Sequence, residues 1–154
     1  MQAIIRKAEP PDSPVLADIA TAAYTKYVPL MGQKPAPMLA DFDVHIQSDS
    51  VFIIEIEPKK PLGYAVLQHL SDGVWLDNIA IWPNHSGQRL GSQLLAHCEA
   101  YASGFGDTIK LYTNEIMTEN RDWYLRRNYQ ITHHATIKGY RRIYFAKSLS
   151  SKSN

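Results

Sequence analysis

The stretch from residue 74 to residue 104 constrains the fold more than any other part of the chain. Residues 74–82 (VWLDNIAIW) are a long apolar run, Pro83 stops it, and residues 84–89 are a polar loop. Leu90, Leu94, Leu95, Cys98, Tyr101 and Ala102 then fall on one helical face until Gly104 and Gly106. A strand that runs through a short loop into a helix calls for a layered α/β domain, because each element has an apolar side that only a packed partner can cover. The junction also creates a site. The first N–H groups of a helix have no intrahelical acceptor and lie at the positive end of its dipole, so they suit a phosphate-bearing ligand.

The flanking sequence supplies the rest of one domain. Residues 3–8 predict a strand closed by Pro10-Pro11, and Ser13 and Pro14 predict the cap and first position of a helix carrying Val15, Leu16, Ile19, Ala22, Ala23 and Tyr27. Three prolines and a glycine in 29–37 predict a loop, followed by a short helix over 38–46. Residues 51–56 and 63–67, on either side of a PKKP turn, predict an antiparallel hairpin. Beyond the 90–102 helix, residues 109–113 read as a strand and Thr118 as the cap of a helix reaching Arg127. Residues 129–133 and 142–147 read as closing strands. The predicted order is β-α-α-β-β-β-α-β-α-β-β, with the domain over 1–147 and a flexible serine-rich tail over 148–154.

Composition excludes several classes. Sixteen basic and fifteen acidic residues leave a formal charge of +1, which gives no pull towards nucleic acid or an anionic membrane. The doublets Arg126-Arg127 and Arg141-Arg142 read as solvated faces or local anion contacts. The single Cys98 rules out an intrachain disulfide, and its place among Leu94 and Leu95 makes it a structural thiol. No apolar run reaches the roughly 18 residues of a membrane span, and the N-terminus reads directly into a strand, so the expected location is cytoplasmic. The six histidines show no metal-ligand spacing, and no metal is expected.

With these elements in order, IAIWP at 79–83 running into SGQRLGSQLL at 86–95 resembles the GNAT superfamily of acyl-CoA N-acyltransferases, whose signature is [Q/R]-x-x-G-x-[G/A]. GYAVL at 63–67 and NRDWYLRRNY at 120–129 extend the likeness, the latter to the family's N-x-x-x-Y-x-x-x-G-[FY]. The match has departures. Ser86 stands for the usual Gln or Arg, Arg89 for a Gly and Asn128 for a Gly, whereas Gly91 keeps the final small position. Arg89 must therefore take negative φ or bear about 1 kcal/mol or more, and Asn128 is the next most tolerant residue for a left-handed turn.

The resemblance implies a mixed, mostly antiparallel α/β sheet of about seven strands with helices on both faces, splayed at the central strand to admit acetyl-CoA. It implies an acetyl transfer to an amine by direct attack. Cofactor contacts would come from the backbone of Ile79, Ala80 and Ile81, from Ser86, Gly87, Gln88, Arg89, Leu90, Gly91 and Ser92, and from Asn120 and Tyr124. Tyr124 would be the general acid at the leaving sulfur, and the Ile79 N–H would meet the thioester carbonyl. Asn120 and Tyr124 lie four apart on the predicted helix and so share a face.

An alkyl ammonium must lose a proton before it attacks, and Asp77 and Glu115 are the carboxylate candidates for that base. A solvated or salt-bridged carboxylate explains each equally well. The 31–38 loop and the first helices are expected to wall the acceptor site, where Asp41 or Asp43 would attract a cation. A non-catalytic CoA-binding sensor and an interaction module stay open as other classes. The identity of the amine and the oligomeric state, including a homodimer, are not legible.

Overall fold

The computed structural model describes residues 2–149. Seven strands form one sheet in the order β1-β2-β3-β4-β5-β7-β6. They are β1 (Ile4–Lys7), β2 (Ser50–Glu55), β3 (Pro61–Leu70), β4 (Gly73–Ile81), β5 (Thr108–Asn114), β6 (Gln130–Ile137) and β7 (Tyr140–Ser148). Every pairing is antiparallel except that of β4 with β5. The helices are α1 (Ser13–Tyr24), α2 (Val28–Met31), α3 (Phe42–Ser48), α4 (Leu90–Ala102) and α5 (Thr118–Leu125). The expected α/β class, seven strands and helices on both faces hold, but α1 ends at Tyr24, short of Tyr27, and α2 falls where a loop was expected over 29–37.

Two apolar layers explain why the inner strands read as continuous hydrophobic runs. Val51 and Ile53 of β2 face α1 and α3, together with Tyr64 and Val66 of β3. Phe52 and Ile54, with Ala65 and Leu67, face α4 on the other side. Because neighbouring side chains point to opposite faces, a strand covered on both sides must be apolar at every position. The α4 stripe of Leu90, Leu94, Leu95, Cys98 and Ala102 closes this second layer. Gly63 belongs to the same packing, since a Cβ there would stand 2.8 Å from the Ala80 carbonyl oxygen.

Local boundaries differ from the sequence reading for identifiable reasons. Ser13 is the first residue of α1 and is buried, while Asp12 precedes it and is held by Arg6 at 2.9 Å. The helix expected over 38–46 starts only at Phe42, where the Asp41 carboxylate accepts from Val44 N–H at 3.2 Å. Ala36–Leu39 is instead a 3₁₀ turn with Pro37 in its opening positions, where a missing N–H costs nothing. Thr118 is the first residue of α5 and caps nothing with its side chain. Ser148 lies in β7, and Leu149 N–H donates to the Asp107 carbonyl at 2.7 Å, so the domain runs beyond Lys147. The rest of the expected tail, 150–154, lies outside the described residues.

Leu94 is fully buried between α4 and the sheet. Leu94→Ala should lower the unfolding free energy by about 2–5 kcal/mol, read from the urea midpoint at unchanged slope.

Candidate active site

The site begins where β4 and β5 stop pairing. Their parallel ladder joins only Val74, Trp75 and Leu76 to Ile109, Lys110 and Leu111, although β4 continues to Ile81 and β5 to Asn114. The ladder ends one residue before a bulge. Leu76 pairs with Leu67 and Asn78 with Val66, so Asp77 is an extra residue in β4. In a regular strand Leu76 and Asn78, two residues apart, would face the same layer; the bulge puts them on opposite ones and turns Asp77 into the opening. The expected splay of the central strand and its successor is thus present.

Two cavities flank the opened strand. The first, about 320 Å³, is walled by Met31, Pro35, Ala36 and Pro37 as expected of the proline-rich loop, and by Asp77, His45 and Arg142. Burial raises the Asp77 carboxyl above its ordinary range, with the like charge of Asp49 adding to the shift and His45 and Arg142 opposing it. His45 Nε2 stands 3.9 Å from Asp77, and its Nδ1 is 2.6 Å from Asp49, which also accepts from Gln68 at 3.3 Å. The chain Asp49–His45–Asp77 thus leads from outside the cavity to its only carboxylate-bearing wall among the described residues.

The second cavity, about 690 Å³, opens at the start of α4 and is lined by Ile79, Ala80, Ile81, Ser86, Gly87, Arg89, Gly91 and Ser92. Gln93 N–H is the first to find a helical carbonyl, that of Arg89. Among the described residues the six N–H groups of 87–92 have no protein acceptor. Such a row is a ready cradle for a diphosphate. Gly87 lies at φ +89°, and Arg89, the helix cap, at φ +64°, so Arg89 takes the strained alternative and not negative φ. Gly91 brings α4 close to α5, since a Cβ there would meet Trp123 at 3.4 Å. Arg127 lies 4.0 Å over the Trp123 ring and donates to Ser92 Oγ at 2.6 Å. The mouth carries Lys26, Arg89, Arg126 and Arg127 against Glu119 and Asp122, a surplus of positive charge.

Both cavities share Tyr24, Ile79, Asn120 and Tyr124. Tyr24 OH donates to the Ile79 carbonyl at 3.0 Å across the opening. A strand residue's N–H and C=O point to the same edge, so the Ile79 N–H also faces the opening. Of the five buried tyrosines, four have their hydroxyls tied: Tyr24 to Ile79, Tyr27 to Glu119, Tyr64 to Asn78 and Tyr129 to Glu99. Tyr124 has no hydroxyl partner among the described residues, and burial raises it well above the ordinary phenol range. It is a neutral donor without a protein acceptor.

The structure brings most of the expected residues together, but not all. Asn120 and Tyr124 share a face, with Asn120 Nδ2 3.5 Å from Met117 Sδ. Glu115 lines neither cavity; its carboxylate lies 3.5 Å from both His134 and Arg141. Leu90 is core and Gln88 faces His85 in the exposed loop, so their side chains do not line the cradle. Asp41 and Asp43 are exposed and line neither cavity. Trp123 also walls the second cavity, and Leu125 is exposed. His45, Asn78 and Tyr24 carried no signal in the sequence; Arg142 carried one, as half of a basic doublet. Cys98 is buried as expected, its thiol pushed up to about 12 by burial.

Among the described residues no cluster of His, Cys, Asp and Glu could hold a metal ion, and no helix is long and apolar enough to cross a membrane. A family profile described as acetyltransferase (GNAT) domain matches residues 47–131. No curated protein sequence matches significantly. A GCN5-related N-acetyltransferase from Rhodopseudomonas palustris superposes with a TM-score of 0.80 at 18% identity, covering 96% of this chain and 96% of its own. The PaiA N-acetyltransferase of Thermoplasma acidophilum, solved with coenzyme A, gives 0.78 at 14% identity over 96% and 99%. The ribosomal-protein-S18-alanine N-acetyltransferase of Escherichia coli gives 0.70 at 19% identity over 97% and 95%. At these identities the likeness is one of fold.

Arg89 bears its backbone strain with an exposed side chain. Glycine would relieve about 1–2 kcal/mol while adding up to about 1 kcal/mol of unfolded-chain freedom. Arg89→Gly should therefore match or exceed the wild-type urea midpoint.

Proposed function

The chain belongs to the acetyltransferase (GNAT) domain family, and on that premise we propose that it moves an acetyl group from acetyl-CoA to an amine by direct attack. One observation carries the reading. The cradle-bearing cavity and the Asp77 cavity meet at the untied hydroxyl of Tyr124 and the opened edge of Ile79. A donor cofactor in one and an acceptor in the other would react where the two join.

The fit of the cofactor rests on the six unpartnered N–H groups of 87–92 and the basic mouth around them. These would hold the diphosphate, with Arg89 and Arg126 near the remaining phosphate charge. When bound, acetyl-CoA supplies an activated thioester carbonyl, and the protein supplies placement. The edge of β4 at Ile79 and Ile81, left unpaired by β5, offers backbone partners to an extended arm.

Each residue at the junction then has a task that its surroundings permit. The Ile79 N–H donates to the carbonyl oxygen as that oxygen gains charge. Tyr24 fixes this segment by occupying the Ile79 carbonyl. Asp77 takes the proton that the acceptor ammonium must lose, and its raised pKa brings it closer to a useful base. His45, oriented by Asp49, stands behind it to pass that proton outward. The new carbon–nitrogen bond forms as carbon–sulfur breaks; Tyr124 gives its hydroxyl proton to the departing sulfur, and the second proton that the acylated nitrogen sheds restores the phenol. The phenol is neutral at pH 7 in any case, and burial keeps it so into more alkaline solution.

Tyr124→Phe should lower kcat by about 10²–10⁴-fold while acetyl-CoA still raises the melting temperature. At a hundred times the dissociation constant that stabilisation should be about 2.7 kcal/mol. Binding without any turnover in the wild type would instead make the chain a CoA sensor, and no thermal shift would leave an interaction module.

The raised Asp77 carboxyl also sets a pH dependence. Its protonated form is favoured by folding, so its contribution to stability is complete below the unfolded pKa of about 3.9 and is lost as pH rises through the higher folded value. At pH 7 Asp77→Asn should therefore keep or raise the melting temperature and yet depress kcat/KM. The wild-type rate should rise with pH above the usual carboxylate range, a limb absent from the variant.

A further inference from the structure

The reading just given leaves two donors in the acceptor cavity without a task. Resting on that reading, we infer that the acceptor is a small amine that also carries a carboxylate, an amino acid being the simplest form. Asp77 holds its ammonium end, Arg142 takes its carboxylate, and the Asn78 side-chain amide donates to a ligand oxygen.

The charges lie on facing walls. Asp77 projects from β4, whereas Arg142 lies on β7 opposite Asn114 of β5, across the gap between the parted strands. The Arg142 guanidinium is positioned but not neutralised. It lies 4.0 Å over the Tyr112 ring and donates to Tyr144 OH at 3.3 Å, and among the described residues no carboxylate comes within 4.0 Å of it. Its neighbour Arg141 takes Glu115 instead, outside the cavity. A fixed, planar, unpaired guanidinium facing a cavity suits a carboxylate through two parallel hydrogen bonds.

Asn78 gives the second, independent observation. It is 5% exposed, its Oδ1 accepts from Tyr64 at 3.0 Å, and its Nδ2 is the one buried side-chain polar atom without a partner among the described residues. Native structures rarely leave such a donor unmet, and its residue is part of the cavity wall. A simple alkylamine or a polyamine would leave both donors unmet and bring positive charge towards Arg142. The volume of about 320 Å³ is at the small end for ligand sites, which fits a compact dipolar acceptor.

The test is a calorimetric comparison of matched pairs on protein saturated with coenzyme A: a panel of amino acids, each against its carboxamide, which keeps the ammonium and loses the carboxylate. At least one acid should bind about tenfold or more tighter than its amide. That ratio should collapse in Arg142→Gln and persist in Arg141→Gln, whose side chain lies outside the cavity. Amides binding as well as acids, no binding by any pair, or a ratio indifferent to Arg142→Gln would each overturn the inference. Release of free CoA thiol is read separately. Selective binding of the acids with no thiol release would sink the acetyl-transfer reading and leave only the ligand class of the cavity standing, whereas equal turnover of acids and amides would sink the inference and leave the transfer reading.

Discussion

The parting of β4 from β5 is the constraint on which the rest depends. Three residue pairs join the strands, and the Asp77 bulge then turns the ladder off. Backbone N–H and C=O groups inside a protein need partners, so a sheet opened at its centre must have its edges served by something else. On one edge Tyr24 reaches across from α1 to take the Ile79 carbonyl. The N–H groups left facing the gap are free for a ligand. Both cavities, and the meeting of the two, follow from that single loss of pairing.

Around the opening, tyrosines are sorted by what their hydroxyls do. Tyr24, Tyr27, Tyr64 and Tyr129 are each tied to a carbonyl, carboxylate or amide, which is how a buried phenol ordinarily avoids an unmet polar group. Tyr124 stands apart because its hydroxyl meets no protein group among the described residues while its ring packs against Trp123, Tyr129 and Phe145. Ring packing fixes the position and the cavities supply the opening. On the acceptor side Asn78 Nδ2 is likewise fixed and unmet among the described residues, and the Arg142 guanidinium is fixed by Tyr112 and Tyr144 without a carboxylate within 4.0 Å among the described residues.

Much of this was legible in local sequence. The apolar 74–82 run, Pro83 and the α4 stripe define a strand–loop–helix from periodicity alone, and Asn120 and Tyr124 fall on one face because a helix repeats every 3.6 residues. The loop at Gly87 was readable as a cradle because the first N–H groups of a helix have no intrahelical acceptor. Departures arose where local signals compete. Ser13 and Thr118 look like caps but begin their helices, and Arg89 in place of glycine gave two backbone options that only the fold could decide. Glu115 looked equivalent to Asp77 as a carboxylate after a strand, but the β6–β7 hairpin draws it to His134 and Arg141.

What the sequence determined by itself was the strands, the longer helices, their order and the row of N–H groups at the start of α4, because these depend on side-chain periodicity and on the chain's immediate neighbours. Tertiary structure decided which charged groups share a cavity. His45 comes from α3, Asp77 from a bulge in β4 and Arg142 from β7, and no spacing along the chain encodes their meeting. It also decided their chemistry, since desolvation and the distance to the next charge exist only once the layers close.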